Sequence, residues 1–148
     1  VFVGEIASAK PETARYRKLI TKLERNGYYD ESYDPTLTSS ASETFASKKG
    51  NCLSYTNMFV ALARIANLDA QYQLVHMRFP SWDVRGRLLI RNNHINVFVE
   101  GPSCRDRGYA DYEASGCTQD FNLIDPDPEA PTTVISDEHA TSLFYANL

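Results

Sequence analysis

The residue of this chain with the clearest chemical potential is Cys52, which follows Gly50 and Asn51 and opens a strongly apolar segment. A glycine turn before such a segment predicts that a helix begins here, with the thiol in its first turn. The unpaired N–H groups and the positive dipole end of a helix N-terminus favour a thiolate over a thiol. Cys52 is therefore a candidate nucleophile. The alternative is a small buried residue that happens to start a helix.

A cysteine nucleophile needs a base to hold its proton and a third group to orient that base. His94 opens an apolar strand pattern, in which His94 and Asn96 share one face. His76 ends the preceding strand pattern, and His139 lies in the first turn of the last predicted helix. Exposed histidines are common at both of these positions, so we predict His94 as the base.

Two aspartates compete for the third position. Asp120 follows Gln119 on the next strand pattern, where a strand beside that of His94 would bring a carboxylate to the imidazole. Asp125 lies in a proline-rich loop, where an aspartate most often makes a local turn hydrogen bond. The alternative for Asp120 is a solvated carboxylate at the end of a strand. We therefore keep both aspartates as candidates at this stage.

The pattern of apolar residues changes along the chain from helical spacing to strand spacing, and these elements must position the candidate residues. Apolar spacing and capping signals predict helices over residues 11–25, 40–48, 52–66 and 137–147. Period-two patterns predict strands over residues 70–77, 93–100 and 118–124. We interpret residues 28–38 and 125–131 as loops, and residues 79–83 as a turn-rich insert that carries Trp82. Helices followed by strands predict an α+β domain with a mainly antiparallel sheet.

Length and charge limit the classes of function. A chain of 148 residues predicts one domain that needs no disulfide for stability. The formal charge of −4 and the pI near 5.3 argue against nucleic acid as a partner, because phosphate binding needs a basic stripe. No apolar run approaches the roughly 18 residues of a membrane span. We therefore expect a globular domain with neither a nucleic-acid partner nor a membrane span.

The chain has three cysteines, so at most one pair can form. Cys104 and Cys117 flank a polar stretch and could close a loop between two strands, or both could stay reduced. A bridge between them would favour a cell-envelope or secreted location. A zinc site built on these two cysteines and a histidine is a remote alternative. We expect no metal and no cofactor.

Three segments together resemble a known family. Residues 50–57 closely resemble the nucleophile helix of the bacterial transglutaminase-like superfamily. Residues 93–97 and 120–122 look like the strands that carry the histidine and the aspartate of that family, in the order Cys, His, Asp. The similarity runs from about Thr36 to the C-terminus, and the segment around the cysteine is its most specific part.

This resemblance implies a papain-like fold, in which a central helix carrying the cysteine packs on an antiparallel sheet. It also implies a triad of Cys52, His94 and Asp120. The long segment 101–118 between the last two departs from the family pattern, which keeps Asp125 as an alternative. We expect one domain over residues 1–148, with a helical N-terminal extension to residue 35 and the core from residue 36.

The activity implied by the resemblance is thiol-dependent acyl transfer on peptide or protein amides. We favour peptide hydrolysis, with transamidation as the alternative, and we expect Asn51 and Trp82 to contact the substrate. A second alternative is a binding or scaffold module without catalysis. The C-terminal residues resemble a subgroup in which this domain precedes tetratricopeptide repeats, so we expect the chain to be a piece of a longer protein.

Overall fold

The computed structural model describes residues 2–28, 33–78, 82–91, 94–102, 116–121 and 130–148. The helices of this part are α1 (Gly4–Ala7), α2 (Glu12–Arg25), α3 (Ala41–Ser47), α4 (Cys52–Ile65) and α5 (Asp137–Ala146). Its strands are β1 (Asp69–Val75), β2 (Trp82–Arg85), β3 (Leu88–Arg91), β4 (His94–Glu100), β5 (Gly116–Gln119) and β6 (Thr132–Ile135). The four predicted helices are present, and each end lies within one residue of its predicted position.

Four of the strands form one antiparallel sheet in the order β5-β4-β1-β6, and β2 pairs with β3 in a separate hairpin. The register places Val75 of β1 opposite His94, and Val99 of β4 opposite Cys117. Helices in the first half of the chain and an antiparallel sheet in the second confirm the predicted α+β class.

Helix α4 is the centre of the domain. Met58, Phe59 and Ala63 are at most 1% exposed and belong to one core cluster with Val97 and Val99 of β4. The helix also contacts the sheet through a polar group, because the Thr56 hydroxyl donates to the backbone carbonyl oxygen of Ile95 at 3.3 Å. The prediction that the cysteine-bearing helix packs on the sheet is confirmed.

Local hydrogen bonds set the point at which α4 begins. Asn51 is the N-cap residue, and its Oδ1 accepts a hydrogen bond from the backbone N–H of Ser54 at 3.0 Å. The Ser54 hydroxyl donates to the carbonyl oxygen of Leu37 and accepts from the backbone N–H of Ser39. The loop before α3 is therefore attached to the first turn of α4, and this attachment fixes the position of Cys52.

The strand predictions need three corrections. Trp82 and Asp83 lie in β2 rather than in a turn, because the chain reverses later, at Gly86 with its positive φ of 62°. β6 was not predicted, and it pairs with β1 at an edge of the sheet. β5 ends at Gln119, so Asp120 follows the strand instead of lying within it. The predictions for residues 79–81, 122–124 and 125–129 lie outside the described residues.

The part of the chain described above contains no helix with both the length and the apolar character needed to cross a bilayer.

The turn before α4 provides a test of this packing. A Cβ atom at Gly50 would lie 2.9 Å from Ser54 Oγ and closer still to Ser54 Cβ, in a site where Ser54 is fully buried. We expect Gly50→Ala to lower the free energy of unfolding by about 1–3 kcal/mol, the usual cost of overpacking. Chemical denaturation measures this change.

Gly4→Ala is the matched control, because an added Cβ there meets no atom of the described residues within 4 Å. An equal loss of stability in both variants would contradict the packing argument.

Candidate active site

Cys52 is the first residue of α4 and is a partly buried free thiol. The first N–H groups of a helix have no acceptor within the helix, and Cys52 lies in this first turn, directly after the Asn51 cap. Both ends of the Asn51 amide make local hydrogen bonds, since Oδ1 accepts from Ser54 and Nδ2 donates to the Thr38 hydroxyl at 2.8 Å. The predicted contact between Asn51 and a substrate stays a prediction.

His94 is the first residue of β4 and is only 7% exposed. Its Nε2 atom lies 2.7 Å from each of the two carboxylate oxygens of Asp120. The side chain of Cys52 lies close enough to the ring to help raise its pKa. The structure therefore brings together three side chains that come from a helix start, a strand start and the end of a neighbouring strand.

The charge state of His94 depends on these two neighbours. Burial by itself lowers the pKa of His94, because a charged ring loses its solvation. The hydrogen bonds with Asp120 and Cys52, together with their negative charges, outweigh burial and raise the pKa of His94 to about 9. The imidazole therefore carries a proton at neutral pH.

Asn96 is a second buried polar residue at this site, and no functional role was predicted for it. It is 4% exposed, and its Nδ2 donates to Asp120 Oδ2 at 3.2 Å. It lies opposite Gln73 of β1, and each of these two side chains has a buried carbonyl oxygen without a hydrogen-bond partner in the structure as described. The two-residue spacing from His94 is the signal that could have identified Asn96, because both share one face of β4.

Tyr33 is the other functional candidate that the sequence did not reveal. It is half-buried, and its hydroxyl lies close enough to the backbone N–H and the side chain of Cys52 for both to influence its pKa. Burial, followed by the negative charges of Cys52 and Asp120, raises the pKa of Tyr33 to about 12. No local pattern indicates this placement, because Tyr33 belongs to a predicted loop that lies far from Cys52 in sequence.

The remaining histidines have other neighbours. His76 is exposed, with Nε2 2.8 Å from the Thr133 hydroxyl of β6. His139 is exposed in the first turn of α5, where its backbone N–H donates to the Ser136 cap. Their described contacts are thus with an edge strand and a helix cap, as expected for histidines without a role at the thiol.

Other predicted residues have different outcomes. Trp82 begins β2, and its contact with a substrate stays a prediction. Cys117 is buried and disulfide-bonded, whereas Cys104 and Asp125 lie outside the described residues. Within the described ranges, no three side chains of His, Cys, Asp or Glu come together as a metal site.

The titration of His94 tests the pairing with Asp120. We expect Asp120→Asn to lower the pKa of His94 below its value of about 9, because burial then acts with less opposition. Nuclear magnetic resonance of the ring nitrogens measures this shift directly. Asp137→Asn is the control, since that carboxylate pairs with Arg64 at 2.6 Å. An unchanged His94 titration in Asp120→Asn would contradict the pairing.

Comparison with known proteins identifies the family. A family model described as the transglutaminase-like superfamily matches residues 2–109 of the 148. A search of curated proteins gives no match, and a search of solved structures gives none either. The matched part contains Cys52 and His94, while Asp120 lies beyond it. The chain belongs to the transglutaminase-like superfamily, whose members are generally cysteine-dependent enzymes of acyl transfer.

Proposed function

We propose that the protein hydrolyses peptide or protein amides through a thioester on Cys52, with His94 and Asp120 as the other members of a triad. One observation carries this proposal. The buried His94 ring is hydrogen-bonded to Asp120 at 2.7 Å and lies beside Cys52, which helps to raise the pKa of the ring. Covalent acyl transfer requires this arrangement in space, with a base beside the nucleophile and an orienting group beside the base.

The first step uses the charge that this arrangement holds. With the proton on His94, Cys52 acts as a thiolate and attacks the carbonyl carbon of the amide. The S–C bond forms while the π electrons of the C=O bond move to oxygen. The backbone N–H of Cys52 donates to this oxyanion, an interaction worth about 3 kcal/mol per donor in well-studied sites.

The second step breaks the C–N bond. Nε2 of His94 is held by Asp120, so Nδ1 is the atom that exchanges protons at the thiol side. Nδ1 donates its proton to the leaving amine as the oxyanion collapses, which leaves a thioester on Cys52 and a neutral imidazole. A water molecule then gives a proton to His94 and its oxygen attacks the thioester. The acid leaves, and the thiolate beside a protonated His94 is restored.

Asp120 and Asn96 act on the base rather than on the substrate. Asp120 holds Nε2 and keeps the ring oriented towards Cys52. Asn96 holds Asp120 through a hydrogen bond to Oδ2. Because His94 and Asn96 are buried, the ring has little freedom to turn away from the sulfur.

The acceptor of the acyl group separates hydrolysis from transamidation. Both reactions share the thioester, and they differ only in whether water or an amine attacks it. We propose water because it needs no second binding site. Transamidation is the alternative, and an added primary amine distinguishes them through the mass of the product.

The nucleophile is tested by substitution. We expect Cys52→Ala to abolish turnover of labelled peptides, because the sulfur that forms the thioester is removed. Release of new amino termini measures this turnover. The control is Tyr145→Phe, which changes an exposed residue of α5 and should leave turnover unchanged. Turnover by Cys52→Ala at the rate of the unaltered protein would refute the proposal.

The role of His94 is tested by alkylation. Iodoacetamide reacts with a thiolate and hardly at all with a thiol, so we expect fast labelling of Cys52 near pH 6. His94→Ala should slow this labelling by about tenfold or more, because the thiolate loses its paired cation. His139→Ala, an exposed histidine in α5, is the control. Equally slow labelling in all three proteins would show an inert thiol and favour a binding module, and equally fast labelling would show that His94 does not activate the thiol.

A further inference from the structure

Backbone contacts between the loop that carries Tyr33 and the two residues before Cys52 hold Tyr33 beside the nucleophile. Tyr33 forms an isolated parallel bridge with Gly50, and the backbone N–H of Asp34 donates to the Gly50 carbonyl oxygen at 3.0 Å. The backbone N–H of Asn51 donates to the Leu37 carbonyl oxygen at 2.9 Å. The Tyr33 ring also packs against the main core cluster. These contacts fix the loop to the two residues that precede Cys52.

The hydroxyl of Tyr33 lies at the atoms that would react. It lies close enough to the backbone N–H and the sulfur of Cys52 for both to influence the pKa of Tyr33. That N–H is the group expected to receive the carbonyl oxygen of a substrate in the proposed mechanism. The hydroxyl therefore occupies, in the free protein, the region where an oxyanion would form.

We propose that Tyr33 is a catalytic residue that donates its hydroxyl proton in a hydrogen bond to the oxyanion, together with the backbone N–H of Cys52. This inference rests on the proposed function and adds the second donor of its oxyanion site. Tyrosine hydroxyls are among the side chains that can fill this role.

The movement of charge during the reaction explains why the Tyr33 phenol would donate to the oxyanion. In the proposed mechanism the sulfur beside the phenol brings the negative charge. When the S–C bond forms, that charge moves to the carbonyl oxygen, which then accepts hydrogen bonds from the phenol and from the Cys52 N–H. The phenol remains protonated throughout, because burial and its anionic neighbours raise the pKa of Tyr33 to about 12.

Two reactions at the same sulfur separate this role from others. In acylation by p-nitrophenyl acetate, an S–C bond forms, an oxyanion develops, and the C–O bond to p-nitrophenolate breaks. In alkylation by iodoacetamide, an S–C bond forms and iodide leaves, without an oxyanion. Loss of an oxyanion donor therefore slows the first reaction relative to the second, and any effect on the sulfur itself is common to both. Mass spectrometry follows both products on Cys52.

Tyr33→Phe is the test variant, because it keeps the ring and its packing but removes the hydroxyl. We expect acylation to slow by about a hundredfold or more, in line with the loss of one oxyanion donor, while alkylation changes by less than about twofold. Tyr145→Phe, an exposed tyrosine of α5, is the matched control and should keep both rates.

The other outcomes overturn the inference. Equal losses in both rates would indicate that the hydroxyl only supports the structure. Gains in both rates would indicate a phenol that blocks the sulfur, and unchanged rates would indicate no role. If Tyr33→Phe melts before the assay temperature, Tyr33→Gln is used instead. Its amide can donate, so we expect it to keep acylation faster, relative to alkylation, than Tyr33→Leu does.

These results are independent of whether peptides are hydrolysed. The two rates are measured on Cys52 itself, so they decide the role of Tyr33 even if no peptide is turned over. Absence of Cys52-dependent peptide turnover would refute the proposed function alone. Normal peptide turnover with an unchanged rate ratio in Tyr33→Phe would refute the inference about Tyr33 alone.

Discussion

A buried imidazole that keeps its proton is the constraint on which the site depends. His94 is 7% exposed, and burial alone would drive the proton off its ring. The carboxylate of Asp120, 2.7 Å from Nε2, reverses that effect. The sheet must therefore hold Asp120 beside His94, and it does so because β5 pairs with β4 and ends one residue before Asp120. The position of this edge strand thus controls the charge at the site.

The second constraint is the start of α4. Its apolar residues are buried on the sheet, so the helix axis is set by the core rather than by the site. Its first turn is set separately, by the Asn51 cap and by the loop that Ser54 holds. The sulfur of Cys52 lies where these two arrangements meet. A change in either would move the sulfur relative to His94, although neither contains the base.

The polar groups around Cys52 form two sets that serve different steps of the proposed reaction. Asp120 and Asn96 act on His94 from the side of the sheet and govern proton transfer. Tyr33 and the Cys52 backbone N–H act from the side of the loop and govern charge on the carbonyl oxygen. The sulfur lies between the two sets. This separation is why acylation and alkylation can distinguish the role of Tyr33 from that of His94.

Local signals in the sequence were enough to predict the helices, the fold class, and both Cys52 and His94 as candidates. Helix starts at Ser40 and Asn51 depend on hydrogen bonds that span three residues, so adjacent residue types indicate them. The contact between His94 and Asp120 spans 26 residues, and the contact of Tyr33 with Cys52 depends on how a loop folds back on Gly50. Only the tertiary structure decided these contacts, because strand pairing and loop packing bring together residues whose local sequences carry no information about each other.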